Sequence, residues 1–223
     1  MESYYADKLS AERLRRCYEL APPPVQRYLA AEIDHVRQEM APGSRVLELG
    51  CGYGRVLREL APRAGEIVGI DISLSSLLLA RAELAGEENI RLVRMDAVNL
   101  AFRPRIFDLV CCVQNGISAF GVDRRRLLEA ALAVTRPGGQ VLFSSYAEEF
   151  WEERLNWFRI QAAHGLVGEI DEAATGDGVI VCWDGFRATT IGPEEFSALA
   201  ANLGCRAEIE VVATSSLFCR LTA

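Results

Sequence analysis

Lysine is nearly missing from this sequence: of its 24 basic residues only Lys8 is a lysine. Acidic residues outnumber basic ones, 31 to 24, for a net charge of −7. An acidic chain without a basic stripe lacks the electrostatic footprint of a nucleic-acid binder, so no nucleic-acid partner is expected. The cluster Arg124-Arg125-Arg126 opens a helix-like segment and reads as a solvated face. Histidine is almost as scarce, with His35 and His164 alone, and no CxxC occurs among the seven cysteines. A zinc site is therefore not expected. The cysteine number is odd and its spacings follow no disulfide framework. Several cysteines lie in apolar strand-like runs, where the thiol acts as a small hydrophobe, and free thiols suit a reducing compartment. No run approaches the roughly 20 apolar residues of a membrane span. The opening MESYYADKLSAERLRR is charged from the start and lacks the apolar core of a signal peptide. These absences together predict a cytoplasmic protein with no membrane partner.

Apolar residues are plentiful: they make up 50% of 223 positions. That suffices for one large α/β domain or one domain with a small elaboration. Helices are predicted over residues 8–20 and 24–40, broken at Pro22-Pro23-Pro24. In the second, Val25, Leu29, Ile33 and Val36 recur at helical spacing. Strands and helices then alternate. Strands are predicted at 45–49, 66–71, 89–94, 107–113 and 140–145. Ser73 and Asp123 stand where they can cap helices, the first carrying Leu74, Leu77, Leu78 and Ala82. Regular alternation with short connections implies a doubly wound, mostly parallel sheet with helices on both faces. After Tyr146 the pattern changes to an aromatic-rich helix over 148–164 and short strand candidates over 166–191. A helix at 193–203 and strands at 206–213 and 216–221 follow. The organisation expected is an N-terminal helical cap (1–40) and an α/β domain (41–223) that carries an insert at 146–192.

The most informative segment is VLELGCGYGR, Val46 to Arg55. It sets Gly50, Gly52 and Gly54 in a turn between a strand and a helix. Such a turn needs positive φ and a close approach of backbone to ligand, and glycine permits both. A dinucleotide fingerprint, G-x-G-x-x-G, would need a third glycine where Arg55 stands. Glu48, two residues before the first glycine, would repel a pyrophosphate but suits a ligand bearing an ammonium and a sulfonium charge.

E-x-G-x-G-x-G after an apolar strand resembles motif I of the class I S-adenosylmethionine (SAM)-dependent methyltransferases. The resemblance runs from about residue 43 to 146 and resumes near 193–222. It implies the seven-stranded Rossmann-like methyltransferase fold and SAM as cofactor. Its loop, with Gly50, Cys51, Gly52 and Gly54, would hold the methionine part of SAM beside Glu48. Asp71, ending the second strand, would bind the ribose hydroxyls, as a carboxylate accepting from both can. Ile72 would pack on adenine, while Asp96 and Ala97 after the third strand would meet its amino group. Phe107-Asp108-Leu109-Val110 resembles motif IV, and Gln114-Asn115-Gly116 would stand beside the methyl group. Arg136-Pro137-Gly138-Gly139 resembles the family's turn into the fifth strand.

The acceptor half is less legible. A small-molecule acceptor is expected, and a monomer or homodimer. Tyr4 and Tyr5 are candidates for a lid; Tyr5 and His164 are weak candidates for catalysis, His164 reading more simply as a helix C-terminal cation. Trp151, Trp157 and Phe158 could line an acceptor pocket or pack their helix onto the sheet, packing being the simpler reading. An NAD(P)-dependent oxidoreductase, opposed by Glu48 and Arg55, and a non-catalytic SAM-binding protein stand as the alternatives.

Overall fold

The computed structural model describes Tyr4 and residues 8–223. Two helices open it, α1 (Ala11–Glu19) and α2 (Pro23–Glu39). The α/β unit follows as β1 (Arg45–Leu49), α3 (Arg55–Leu60), β2 (Glu66–Asp71), α4 (Leu74–Glu83), β3 (Ile90–Arg94) and β4 (Phe107–Cys112). Next come α5 (Gly116–Ala119), α6 (Arg124–Val134) and β5 (Thr135–Tyr146). A 3-10 turn at Glu148–Phe150 leads into α7 (Trp151–Ala163), then the short pair β6 (Ile180–Val181) and β7 (Arg187–Ala188). The chain ends with α8 (Pro193–Asn202), β8 (Ala207–Val212) and β9 (Ser216–Thr222).

Seven strands form one sheet in the order β3-β2-β1-β4-β5-β9-β8. The first five run parallel, and β9 is antiparallel to both β5 and β8. The chain winds outward from β1 to β3, then crosses back to place β4 on the other side of β1. That reversal opens a crevice above the C-terminal ends of β1 and β4, where open α/β sheets bind ligands. Both faces of β1 are covered: Val46 and Leu47 are each fully buried, in clusters on opposite sides of the sheet. Continuous apolar runs in these strands follow from that double burial.

The same double-sided burial makes α2 a bridge. Its Ile33, Val36 and Met40 continue the sheet core, while Val25, Tyr28 and Leu29 join a separate cluster with Phe150, Trp157, Phe158 and Phe186. N-terminal helices and the segment after β5 thus share one core.

Ser73 and Asp123 cap α4 and α6 as predicted, accepting from the backbone N–H of Ser76 and Arg126. The apolar stripe of α4 differs from the expected one. Leu74 and Leu78 are exposed, and Ser76, Leu77 and Ala80 face inward. α1 explains the polar members: its Ala11 N–H donates to the Ser76 hydroxyl at 2.9 Å. The expected turn at Pro137-Gly138-Gly139 lies inside β5. Phe107 pairs with Thr135 and Leu109 with Gln140, so the intervening residues loop out as a bulge, with Gly138 at φ +75°.

Candidate functional site

The glycine turn is built as its sequence requires. Gly50, Gly52 and Gly54 have φ of +75°, +54° and +86°, a region that L side chains rarely adopt. The N–H groups of Gly50 and Cys51 both donate to the Ile70 carbonyl at 2.9 Å, tying the turn to β2. A Cβ on Gly50 would lie 2.4 Å from the Phe120 ring. One on Gly54 would lie 2.5 Å from Leu84, so Gly54 serves the packing of α3 against the end of α4 and does not line the cavity.

Asp71 clamps this turn to the start of α4. Its Oδ2 accepts from Gly52 N–H at 2.9 Å and its Oδ1 from Ser73 N–H at 2.8 Å. Burial pushes its carboxyl above the usual range, opposed by these backbone donors. Each oxygen keeps acceptor capacity toward the cavity that it lines.

Glu48 is buried at 3% exposure and its Oε2 has no hydrogen-bond partner. Burial pushes its pKa up to about 8; nearby Arg55 lowers it and Asp71 raises it. The Nε and Nη2 of Arg55 are likewise buried without partners, and its guanidinium lies 4.8 Å from the Tyr18 ring centroid. Buried polar groups are seldom left unpaired, because each such group costs free energy. Here a carboxyl group and a guanidinium, each with unpaired atoms, line one cavity. A zwitterionic amino-acid group would satisfy both.

The same cavity is lined by Cys51, Ile72, Asp96, Ala97 and Gln114. Ile72 is 44% exposed, an apolar side chain offered to the opening. Asp96 accepts from Val98 N–H at 3.0 Å and from the Asn99 amide at 2.9 Å, a turn role beside its place on the wall. Gln114 and Asn115 both have left-handed backbones, φ +56° and +60°. Asn115 does not line the cavity. Its amide donates to the Thr189 carbonyl and accepts from the Ser145 hydroxyl, so it braces the turn from behind.

The remaining walls come from outside the shared sheet. α1 supplies Cys17 and Tyr18, α2 supplies Leu29, and α7 supplies Trp157, Phe158 and Gln161. Trp157 both packs, donating to the Cys17 carbonyl at 3.0 Å, and lines the cavity. Sequence reading preferred packing over a pocket role for it; the structure gives it both. Arg55, Tyr18 and Gln161 were missed as wall residues. Arg55 carried a signal, a charge at the first helical position directly after the glycine turn; Tyr18 and Gln161 carried none.

The lid and catalytic candidates are placed elsewhere. The Tyr4 hydroxyl donates to Asp184 at 2.5 Å and its ring lies 4.7 Å from Phe186. It joins the segment after β5 and does not line the cavity. Tyr5 lies outside the described residues. His164 is the exposed C-cap of α7, its Nδ1 2.9 Å from the Ile160 carbonyl, and stands apart from the cavity.

A family model described as a methyltransferase domain matches residues 46–139, from the glycine-loop strand to the β5 bulge. The chain is 31% identical over 105 residues to the demethylmenaquinone methyltransferase of Clavibacter sepedonicus, covering 47% of this chain and 42% of that one. It is 31% identical over 118 residues to the ubiquinone biosynthesis O-methyltransferase of Alkalilimnicola ehrlichii, covering 51% and 47%. The chain thus spans less than half the length of these relatives. Two solved structures share the fold. The PH0226 protein of Pyrococcus horikoshii superposes with a TM-score of 0.70 at 19% identity, covering 100% of this chain and 99% of that one. A SAM-dependent methyltransferase of Aquifex aeolicus gives 0.64 at 13% identity, covering 93% and 96%. Glycine loop, strand order and relatives agree: residues 46–139 are similar to a methyltransferase domain, and the chain has the fold of a solved SAM-dependent methyltransferase.

Proposed function

We propose that this chain transfers a methyl group from SAM to a small-molecule acceptor by in-line displacement. The observation that carries the reading is the pair of ionisable side chains with unpaired atoms beside the glycine turn, Glu48 and Arg55. Glu48 would take the ammonium and Arg55 the carboxylate of the methionine part. Gly50, Cys51 and Gly52 would let that part approach the backbone. Asp71 would accept from the ribose hydroxyls, Ile72 would pack on adenine, and Asp96 with Ala97 would meet its polar edge. Gly54 and Asn115 would act indirectly, by holding α3 and the turn after β4.

SAM brings an already electrophilic methyl carbon, so the protein's task is alignment and exclusion of water. The roof over the sheet edge suits that task. α1 and α7 cover the crevice together: Trp157 bonds α1, and Arg13 donates to the Gly165 and Leu166 carbonyls just past α7. The cap over residues 1–40 and the insert over 146–192 would then work as one unit around the acceptor. No described helix is long and apolar enough to cross a membrane.

The test is release of S-adenosylhomocysteine from SAM in the presence of small-molecule acceptors. Acceptor-dependent release, lost in Asp71→Ala, supports an enzyme. SAM binding with no acceptor-dependent release would leave the non-catalytic alternative.

A further inference from the structure

We propose that the acceptor is an uncharged aromatic molecule, oriented by a hydrogen bond from Gln114 Nε2 to an oxygen or nitrogen on its ring. The inference rests on the methyltransferase reading above and names the acceptor class for that same cavity.

Gln114 is held from three directions. Its backbone N–H donates to Glu32 Oε2 at 2.7 Å, from a carboxylate wholly buried on α2. Its side-chain Oε1 accepts from the Tyr18 hydroxyl at 2.7 Å. Its left-handed backbone, followed by another at Asn115, persists only because the surroundings enforce it. Glu32 and Tyr18 are thus positioning residues. What they position is Nε2, which is buried, has no partner and belongs to a side chain on the cavity wall. A donor left unsatisfied in that way calls for an acceptor atom on a ligand.

The walls around it are aromatic. Tyr18 lies 6.0 Å from Trp157 between ring centroids, and Tyr146 and Phe158 complete the wall. The Tyr18–Trp157 pair is in mutual tilted contact, so the rings present one continuous aromatic surface on which a ligand ring can pack. At this end the described wall side chains, Cys17, Tyr18, Tyr146, Trp157, Phe158 and Gln161, are uncharged types. Burial pushes the Tyr146 phenol up to about 12, so it too stays neutral near pH 7. Of the charges nearest these rings, Arg55, 4.8 Å from the Tyr18 centroid, is taken by the cofactor's carboxylate in the reading above. Arg154 is matched by the Gly178 carbonyl outside the wall. A charged acceptor would then be desolvated without a counter-ion. In the transfer, a lone pair on the ring's heteroatom forms the bond to the methyl carbon. The carbon–sulfur bond breaks, its electron pair stays on sulfur, and the proton of a hydroxyl acceptor passes to water.

The experiment is calorimetric titration of 2-naphthol, naphthalene, glycine and phosphoethanolamine into protein saturated with S-adenosylhomocysteine. 2-Naphthol is expected to bind about tenfold or more tighter than either charged probe. Gln114→Leu should weaken 2-naphthol about tenfold, the scale of one hydrogen bond, and leave naphthalene unchanged. Tyr18→Phe, which keeps the ring and releases the amide, should weaken 2-naphthol in the same direction if the leucine variant does not fold. Tighter binding of glycine or phosphoethanolamine overturns the proposal. So does an equal loss for 2-naphthol and naphthalene in both variants. Failure of the wild type to bind S-adenosylhomocysteine overturns the methyltransferase reading itself, and this proposal with it.

Discussion

At the scale of single residues, Glu48 gives the sharpest expectation. Its carboxyl is raised by burial from an ordinary 4.5 to about 8. Between those values the folded chain holds a proton that the unfolded chain has lost. Stability from this group is therefore present below pH 4.5 and is lost as pH rises through 8. Thermal melts of ligand-free protein should show that slope, and Glu48→Gln should flatten it. An ammonium ligand favours the carboxylate, so S-adenosylhomocysteine should bind more tightly as pH rises from 6 to 7.5, by up to about tenfold per unit. Glu48→Gln should remove that dependence; an unchanged slope in the variant would place the titrating group elsewhere. Asp71 has a second role beside the one expected, since it accepts from Gly52 and Ser73 and also lines the cavity. Asp71→Ala should cost about 1.5–3 kcal/mol of cofactor affinity and also lower the melting temperature. Asp71→Asn, which can keep one backbone bond, should retain more stability than affinity. Equal loss of both would mean that Asp71 acts only on the turn.

Among elements, legibility followed burial. Strands β1 and β2 have the bounds the sequence predicted, because strands buried on both faces read as mostly apolar runs, broken inside β1 by Glu48 alone. α4 was read with the wrong inner face, since its partner α1 contacts it through serines that an apolar count ignores. α7 shows the same limit. Arg154 and Gln161 are buried beside Leu155, Trp157 and Phe158, so one inner face mixes charge, amide and aromatic groups. Arg154 is matched by the Gly178 carbonyl and the Tyr146 ring, its guanidinium 4.6 Å from the ring centroid, partners far away in sequence. The candidate site divides likewise. Its donor half lies in one continuous stretch and a few strand ends, whereas its acceptor half needs α1, α2 and α7 to meet. If these elements close over one cavity, ligand should protect them together. Hydrogen exchange of residues 8–20 and 151–163 is expected to slow in both segments on adding S-adenosylhomocysteine. Slowing confined to residues 50–54 would show that the roof does not respond to the donor site.

For the whole molecule, the strand order sets where ligand can go. The reversal between β1 and β4 brings the glycine turn, Asp71 and Gln114 to one sheet edge. A nicotinamide-type α/β fold would have a crevice in the same place, so topology alone does not choose the cofactor. The choice falls to the residues at the loop: ionised Glu48 would repel a pyrophosphate and favour an ammonium, and Arg55 stands where the dinucleotide fingerprint needs glycine. Isothermal titration of the full chain with S-adenosylhomocysteine and with NAD, under the same buffer, puts that choice to the test. S-adenosylhomocysteine is expected to bind and NAD to give no saturable heat. Tighter binding of NAD than of S-adenosylhomocysteine would contradict the assignment of this cavity to SAM.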